Sequence, residues 1–460
     1  MRQGIIRPPL PLSVRVRAPV PVLMAAALAP GFGPFQGDSY LTPSGDPQSS
    51  VWVCWNTLAP ETGTVAWGPT EAMGDTLAEA SPGTIHAILI EGLQPGATCY
   101  YRILPSGDIH QFRSFQPPGP APQGFGFQVI GDTRTDSVAH SSVITSMLPW
   151  DCAFYLHLGD LVEDGGDPSD WETFFEIEHP LCSSRQILPT LGNHDAPYLP
   201  YLTLFQLPGA ERYYSLDYGN CHFVALDTES DLIGPQIYWL SADLQAAAAD
   251  PSVDWIVVFF HRPAYSSGSH GSQRDVRNAW CGLFSSCGVD LVFCGHDHDY
   301  ERTYPIAGVT YIVSGGGGAP LHHVGANPWT AYSESCFQHA RVQVTEESLL
   351  VEAVRPDGTV FDSVVIQQSG TSEPAPSPAG LAIVPNPSTW GVAVSWTGAP
   401  IGSVLRIYDV SGRCLAAIDL QSEQGSMVWS RDGTGYPAGG IYLLVMDTPS
   451  ERIVAKAVVL

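Results

Sequence analysis

The hydrophobic positions of residues 37–116 alternate with polar positions in short runs. Examples are SSVWVCWNT, TGTVAWGPT and IHAILIEG, and glycine or proline signals separate one run from the next. Alternation with a period of two is typical of strands that bury one face, and this spacing of turns is typical of sandwiches. The pattern predicts a small antiparallel β-domain at residues 37–116, followed by a stiff, proline-rich linker at residues 117–124.

The pattern changes at residues 125–368, where apolar runs end in polar loops that contain glycine or proline. These runs are FGFQVIGDTR, AFYLHLGDLV, ILPTLGNHD, WIVVFFHRP and VDLVFCGHDHD. Segments with helical periodicity, such as IGPQIYWLSADLQAAAA, lie between them. Strands that alternate with helices predict a layered α/β domain, in which ligands bind at the carboxyl ends of the strands.

The last part of the chain returns to short apolar runs. A linker rich in proline and serine is predicted at residues 369–380, and residues 381–460 predict a second small β-sandwich. The expected fold is therefore multidomain, with an α/β domain between two small all-β, immunoglobulin-like sandwiches.

Each of the five strand ends in the middle region carries an aspartate, an asparagine or a histidine. The residues are Asp132, Asp160, Asn193, His261, His296 and His298. Because such side chains point into one crevice, we expect them to bind metal. Mixed nitrogen and oxygen ligands suit Zn, Fe, Mn or Ni, and a carboxylate can bridge two ions. His296 and His298 are two residues apart, so in an extended segment they face the same side while Asp297 points away.

The charge of the chain bears on its ligands. The formal net charge is −26, and Lys456 is the only lysine. No basic stretch is interleaved with aromatic residues, which argues against nucleic-acid binding through phosphate neutralisation. A negative field also repels anionic substrates, so phosphate chemistry here needs a local positive centre, and bound metal can supply it. Among the ten cysteines, Cys281 and Cys287 are close enough in sequence to form a pair.

The amino-terminal residues predict export. Residues 1–30 carry arginines and no acidic residue before the apolar stretch VPVLMAAALAPG. This order is typical of a signal peptide, although a disordered, proline-rich leader has a similar composition. The stretch is too short to span a bilayer, and no transmembrane segment is expected elsewhere.

The five strand-end motifs, in this order, resemble those of the calcineurin-like metallophosphoesterase superfamily. HRPAY and HDHDYER, together with the preceding β-domain, resemble the purple acid phosphatase branch, whose first domain is fibronectin type III-like. The resemblance implies a metallophosphoesterase sandwich of two β-sheets flanked by helices, with two divalent or trivalent ions such as Fe, Zn or Mn. It implies the ligand set in which Asp160 bridges both ions, Asp132 and His298 hold the first, and Asn193, His261 and His296 hold the second.

The same resemblance suggests residues that act on substrate. His194 matches the phosphate-contacting histidine of the superfamily and in its protonated form could stabilise developing charge or protonate the leaving oxygen. Asp195 is expected to orient His194. His270 matches a second substrate-facing histidine, but a solvated loop residue is an equal alternative. Arg134 could pair with a phosphate or form a surface salt bridge.

The sequence departs from the family pattern at residues expected to bind the first ion. The purple branch has a tyrosine three residues after the bridging aspartate, where this chain has Glu163, and the wider superfamily has a histidine where this chain has Arg134. We expect Glu163 to supply the missing ligand, or the first site to be weak. Without a tyrosinate–iron bond the protein should not be purple.

The carboxyl-terminal segments IVPNPS, LRIYDVSGRCL and GTGYPAGGIYLLVM resemble the sorting domain of type IX secretion. An immunoglobulin-like accessory domain is the alternative. Together with the leader, this predicts a secreted or cell-surface protein that engages the type IX secretion machinery.

The function expected from the sequence is a phosphoesterase that hydrolyses small phosphate monoesters by attack of a metal-bridged hydroxide. A phosphodiesterase or nucleotide hydrolase with the same metal core is the nearest alternative, because loops rather than metal ligands select the leaving group. A surface binding protein on a decayed catalytic scaffold is the other class.

Overall fold

The computed structural model describes residues 32–105, 107–113 and 124–368, and in the carboxyl-terminal region residues 380–384, 392–397, 403–410, 413–420, 425–429, 440–447 and 452–459. The predicted leader at residues 1–30 lies outside the described residues. So do all but the last residue of each predicted linker, 117–124 and 369–380.

Seven strands form the described part of the amino-terminal region. They are β1 (Gly37–Pro43), β2 (Ser50–Glu61), β3 (Thr64–Gly68), β4 (Asp75–Ala78), β5 (Gly83–Glu91), β6 (Thr98–Ile103) and β7 (His110–Arg113). Strands β1, β2 and β5 lie side by side, and β4, β3, β6 and β7 form a separate four-stranded sheet. Alternate residues such as Val53, Val65 and Tyr101 meet in one core between the two sheets, as the period-two pattern predicts.

The middle region contains thirteen strands and six α-helices. The strands are β8 (Phe125–Ile130), β9 (Phe154–His157), β10 (Gln186–Pro189), β11 (Tyr214–Tyr218), β12 (Cys221–Ala225), β13 (Trp255–Phe260), β14 (Leu291–Cys294), β15 (Tyr300–Thr303), β16 (Thr310–Ser314), β17 (Thr330–Glu334), β18 (His339–Val344), β19 (Ser348–Val354) and β20 (Val360–Gln367). The helices are α1 (Ser137–Met147), α2 (Pro168–Cys182), α3 (Leu199–Leu204), α4 (Pro235–Ala249), α5 (Arg274–Val276) and α6 (Gly282–Ser286), with a π-helical segment, Arg277–Cys281, between the last two.

Two sheets face each other in this region. One has seven strands in the order β11-β12-β13-β14-β16-β15-β17, and the other has nine in the order β20-β19-β18-β8-β9-β10-β1-β2-β5. Val257 and Phe259 of β13 face the core between the sheets, whereas Val258 and Phe260 face helices α4 to α6 on the outside. These strands are apolar on both faces because both faces are covered.

The nine-stranded sheet crosses the predicted domain boundary. Strand β1 pairs in parallel with β10 at Leu41 and Gln186. The Tyr40 hydroxyl donates to the carbonyl of Leu204, and the Tyr101 hydroxyl donates to that of Ser183. The amino-terminal strands therefore extend the main sheet instead of standing apart from it, a contact that alternation within one strand does not encode.

The expected pairing of Cys281 with Cys287 is wrong, because both are free thiols. They lie six residues apart along one continuous helical stretch. Six residues advance a helix by about 9 Å, whereas a disulfide needs Cα atoms within about 7 Å.

The described carboxyl-terminal segments are all strands. They are β21 (Gly380–Val384), β22 (Val392–Thr397), β23 (Val404–Asp409), β24 (Cys414–Asp419), β25 (Gly425–Trp429), β26 (Gly440–Asp447) and β27 (Arg452–Val459). They form sheets in the orders β21-β22-β25 and β24-β23-β26-β27 around a shared apolar core. Among the residues with described structure, no helix is both long and apolar enough to span a membrane.

Candidate metal centre

The loops that follow β8 and β9 carry the first two predicted ligands. Asp132 and Asp160 are buried and have left-handed backbone conformations, with φ of 58° and 52°. His296, which follows β14, has φ of 73°. Such values are uncommon outside glycine and concentrate at functional sites, where surrounding structure holds them in place.

Glycines allow these loops to approach one another. A Cβ atom added to Gly192 would lie 2.1 Å from the backbone nitrogen of Asp160, and one added to Gly295 would lie 2.5 Å from Asp132 Oδ2. At both positions two loops pass so close to each other that any side chain would clash, so only glycine fits.

Three predicted ligands form one cluster. Ligand atoms of Asp132, Asp160 and His298 lie within 4.8 Å of one another. His298 Nε2 lies 3.5 Å from Asp132 Oδ1. Tetrahedral ligands about 2.0–2.1 Å from one ion lie about 3.3–3.4 Å apart, so this spacing fits two ligands of the same ion.

The other three predicted ligands gather around His261. Its Nε2 atom lies 3.2 Å from Asn193 Oδ1 and 3.2 Å from His296 Nδ1. The same Nε2 lies 3.3 Å from Asp160 Oδ1. Asp160 is therefore shared between the two clusters, which is the position a bridging carboxylate needs.

Backbone carbonyls orient two of the histidines. His261 Nδ1 lies 2.8 Å from the carbonyl of Leu158, and His298 Nδ1 lies 2.7 Å from that of Pro320. A proton on Nδ1 makes each hydrogen bond, so the Nε2 lone pair is left for a metal. Burial lowers the pKa of His298 to about 4, which keeps the imidazole in its neutral, ligating form.

The carboxylates need compensating positive charge. Burial and the neighbouring Asp160 raise the pKa of Asp132 well above its ordinary value. Burial acts in the same direction on Asp160, but His261 and the backbone amide of His194 outweigh it and lower that pKa. Two adjacent buried carboxylates are costly unless cations pair with them, so the donor set fits a pair of metal ions.

Glu163 is placed beside Arg134. Arg134 Nη1 donates to Glu163 Oε2 at 2.6 Å, and the Thr135 hydroxyl donates to the same oxygen. Arg134 also reaches inward, with Nε 3.3 Å from Asp160 Oδ2 and Nη2 3.5 Å from His298 Nε2. The guanidinium thus pairs with carboxylates at the edge of the first cluster, and the role of Glu163 as a ligand stays a prediction.

His194 and Asp195 differ from the expected arrangement. His194 Nδ1 lies 3.0 Å from the carbonyl of Glu163. The Asp195 carboxylate instead accepts four backbone N–H groups, and these belong to Asp160, Leu161, Val162 and Gly192. Asp195 therefore holds together the two loops that carry Asp160 and Asn193, and the contacts give it this role in place of orienting His194.

His270 lies beside the metal ligands. Its ring stacks on His296 with centroids 4.2 Å apart. Its backbone nitrogen donates to Asp297 Oδ1 at 2.7 Å, and its Nδ1 lies 3.2 Å from the same oxygen. Asp297 points away from the ligands, as the alternation predicts, and anchors the loop that presents His270.

Two neighbours of the centre were not identified from the sequence. His322 stacks on His298 at 3.9 Å and accepts its backbone N–H. Arg262 lies 3.3 Å from His296 Nε2 and is paired with Glu229. The position of Arg262 next to His261 was the one available signal, whereas the pair of histidines at 322 and 323 lies in a loop without periodicity.

Comparisons with known proteins agree with this geometry. Residues 101–300 match the calcineurin-like phosphoesterase family, and residues 308–363 match the iron/zinc purple acid phosphatase-like protein C family. Purple acid phosphatase 22 of Arabidopsis thaliana is 30% identical over 296 residues, which cover 57% of this chain and 67% of that protein. Acid phosphatase type 7 of Homo sapiens is 27% identical over 407 residues, 73% of this chain and 91% of that protein. Phosphoenolpyruvate phosphatase of Allium cepa is 24% identical over 311 residues, 62% of this chain and 63% of that protein.

A solved structure shares the fold. The purple acid phosphatase PPD1 from yellow lupin (Lupinus luteus) seeds has a TM-score of 0.62 and 22% identity, covering 72% of this chain and 74% of that one. This chain spans about two thirds of the length of the Arabidopsis relatives it matches. Together with the shared Asp160 and the two ligand clusters, these matches show that the chain belongs to the purple acid phosphatase-like branch of the calcineurin-like phosphoesterases, hydrolases of phosphoric esters with a dinuclear metal centre.

Proposed function

We propose that this protein hydrolyses small phosphate monoesters. The observation that carries the proposal is Asp160, whose carboxylate lies within reach of both ligand clusters. Two bound ions would lower the pKa of a water molecule between them and neutralise the phosphoryl oxygens.

The protein's own residues would divide the remaining work. Hydrolysis forms one P–O bond from water and breaks the ester P–O bond, so the leaving oxygen needs a proton. His194 is partly exposed at the edge of the centre and held at Nδ1 by Glu163, which suits it to supply that proton. We assign contacts with phosphoryl oxygens to His270, which stacks on His296, and to Arg134, which would contact phosphate while it stays paired with Asp160 and Glu163.

Each of the two alternative functions differs from a phosphomonoesterase in one measurable property. A phosphodiesterase or nucleotide hydrolase would share the ligand set and differ in its preferred ester. A binding protein on a decayed scaffold would bind metal without turnover, but a decayed site should lose ligands first, and the sequence retains all six ligand-type residues.

The experiment is metal analysis of purified protein combined with hydrolysis of 4-nitrophenyl phosphate and bis(4-nitrophenyl) phosphate. We expect two metals per chain and a clear preference for the monoester. Preference for the diester would favour the phosphodiesterase, and two metals with no turnover would favour the binding protein.

We also propose that the protein is exported through type IX secretion and reaches the cell surface or medium. The arginine-rich leader in residues 1–30 and the sorting-domain resemblance of residues 381–460 support this. Deletion of residues 381–460 should retain the protein in the cell. Secretion of the truncated chain at the level of the full chain would contradict the sorting role.

A further inference from the structure

A cavity of about 360 Å³ lies beside the first ligand cluster, between the loops after β8 and β9 and helix α2. Arg134 lines it, and the Nε atom of that residue is 3.3 Å from Asp160 Oδ2. Arg134 therefore lies between the cavity and the carboxylate that the two ions would share, and Asp160 itself is not part of the wall. The volume of the cavity is at the lower end of the range for small-molecule sites, about 300–1,000 Å³, so it suits a single small moiety better than a polymer.

The cavity also shares a wall residue, Glu163, with the contacts of the proposed proton donor, His194. Glu163 is part of its wall, and the carbonyl of Glu163 is 3.0 Å from His194 Nδ1. If His194 protonates the leaving oxygen, that oxygen and the group attached to it emerge next to Glu163. The rest of the leaving group then has the cavity in front of it.

The walls carry a particular chemistry. Hydroxyl groups come from Thr135, Ser137 and Thr173, and apolar surface comes from Phe174 and Ile177. Hydroxyl groups together with an aromatic ring match a polyhydroxylated moiety, which offers both hydroxyls and C–H faces.

The charges of the walls oppose an anionic leaving group. Asp170 and Glu163 are carboxylates in the lining, and the one arginine there, Arg134, is already paired with Glu163 and Asp160. A second phosphate or a carboxylate on the leaving group would meet this negative surface, and the other basic side chain of the wall, His140, is paired with Glu178.

We propose that this cavity is the leaving-group subsite and that it selects esters of uncharged polyols of monosaccharide size, an inference that rests on the proposed function. Thr173 and Ile177 on α2 are then specificity-determining residues, because their side chains line the cavity opposite the loops that carry the ligands.

Binding of non-hydrolysable phosphonates tests the subsite without turnover. The ligands are the methylenephosphonate analogue of glucose 6-phosphate and methylphosphonate, titrated by calorimetry into metal-loaded protein. We expect the glucose analogue to bind the wild type at least about tenfold more tightly. Thr173→Trp or Ile177→Trp should bring this ratio close to one by filling the cavity. Glu172→Trp is the matched control, because Glu172 is exposed on the same helix and outside the cavity, and it should leave the ratio unchanged.

Equal binding of the two phosphonates to the wild type, or a ratio that neither cavity variant changes, would overturn the subsite. Hydrolysis of glycerol 2-phosphate and glucose 6-phosphate is measured in parallel. Turnover without the binding preference would leave the proposed function standing and remove the subsite. The binding preference without turnover would overturn the proposed function and with it the leaving-group role of the cavity, which would then be a polyol-binding site only.

Discussion

The Nε2 atom of His261 lies 3.2 Å from the Nδ1 atom of His296, although both imidazoles are buried. Burial lowers the pKa of His296, and the proximity of His261 lowers it further, so His296 is held neutral. Two ring nitrogens at this distance either share a proton or share a cation. Because Asn193 Oδ1 and Asp160 Oδ1 approach the same His261 nitrogen, a cation accounts for all four atoms, whereas a proton satisfies only two.

Asn193→Ala tests this interpretation. Removal of the amide oxygen takes one ligand from the second ion, so metal content should fall from two to one per chain. Turnover of 4-nitrophenyl phosphate should fall more than ~100-fold, a scale typical of losing one charge-stabilising element. Elemental analysis and steady-state kinetics provide the readouts. Asn278→Ala, at an exposed position of the π-helical segment, is the control and should change neither quantity.

Asp195→Asn separates two roles for that carboxylate. The Oδ2 atom of Asp195 accepts the backbone N–H groups of Asp160 and Gly192. The Oδ1 atom accepts those of Leu161 and Val162. An amide can replace one oxygen only, so two buried N–H groups would face an NH₂ group. At about 1–3 kcal/mol for each unsatisfied donor, the loops that carry the ligands should loosen. We expect a lower melting temperature and less bound metal.

His194→Ala is the matched comparison for that variant. His194 is partly exposed and its side chain contacts Glu163, so its removal should leave the fold and the metal content as in the wild type. Turnover should fall by about 10²–10⁴, the usual contribution of a proton donor. If Asp195→Asn instead lowered turnover alone, with unchanged melting temperature and metal content, the orienting role expected from the sequence would be restored.

The convergence of the predicted ligands was accessible from the sequence for a physical reason. Asp132, Asp160 and His261 each follow an apolar strand, and parallel strands bring their carboxyl ends to one edge of a sheet. The placement therefore depends only on recognising strands and their ends. The alternation of His296, Asp297 and His298 was equally local. In the structure the two imidazoles contact other predicted ligands, whereas the Asp297 carboxylate accepts the backbone N–H of His270.

The features of the fold and the site that the sequence did not predict depend on contacts between distant segments. His322 reaches His298 through a loop without periodicity, and the pairing of β1 with β10 joins strands about 145 residues apart. Asp195 was assigned to its sequence neighbour His194, but its carboxylate is directed to backbone amides across the chain. A one-dimensional pattern shows which residue types are available and which face they share, and it does not show which distant segment they meet.

The visible spectrum tests the replacement of the family's tyrosine by Glu163. The Glu163 carboxylate pairs with Arg134 and Thr135 and offers oxygen ligands only, which give no tyrosinate-to-iron charge transfer. Metal-loaded protein should therefore lack a strong visible absorption band. Glu163→Tyr in iron-loaded protein should introduce one, with Glu163→Gln as the colourless control. A strong band in the wild type would contradict the assignment.

A pH-dependent contribution to stability is expected from His222, at a distance from the metal centre along the sheet. Its Nδ1 lies 2.7 Å from Asp217 Oδ1 and its Nε2 lies 2.9 Å from Asp243 Oδ2. Burial alone would lower the pKa of His222, but these two carboxylates outweigh it and raise the pKa to about 9. Because the folded value exceeds the ordinary one of about 6.5, protonation favours the folded state.

The sign of the effect follows from that difference. The stabilisation is complete below about pH 6.5 and is lost as the pH rises through about 9, and 2.5 pKa units correspond to about 3 kcal/mol at most. His222→Gln should lower the melting temperature by several degrees at pH 6.5, and the deficit should shrink towards pH 10, where the wild-type histidine is neutral as well. His323→Gln, at an exposed position, is the control and should show no deficit at either pH. Calorimetric scans at the two pH values measure the melting temperatures. If His222→Gln lowered the melting temperature equally at pH 6.5 and pH 10, His222 would stabilise the fold by packing and not by its charge.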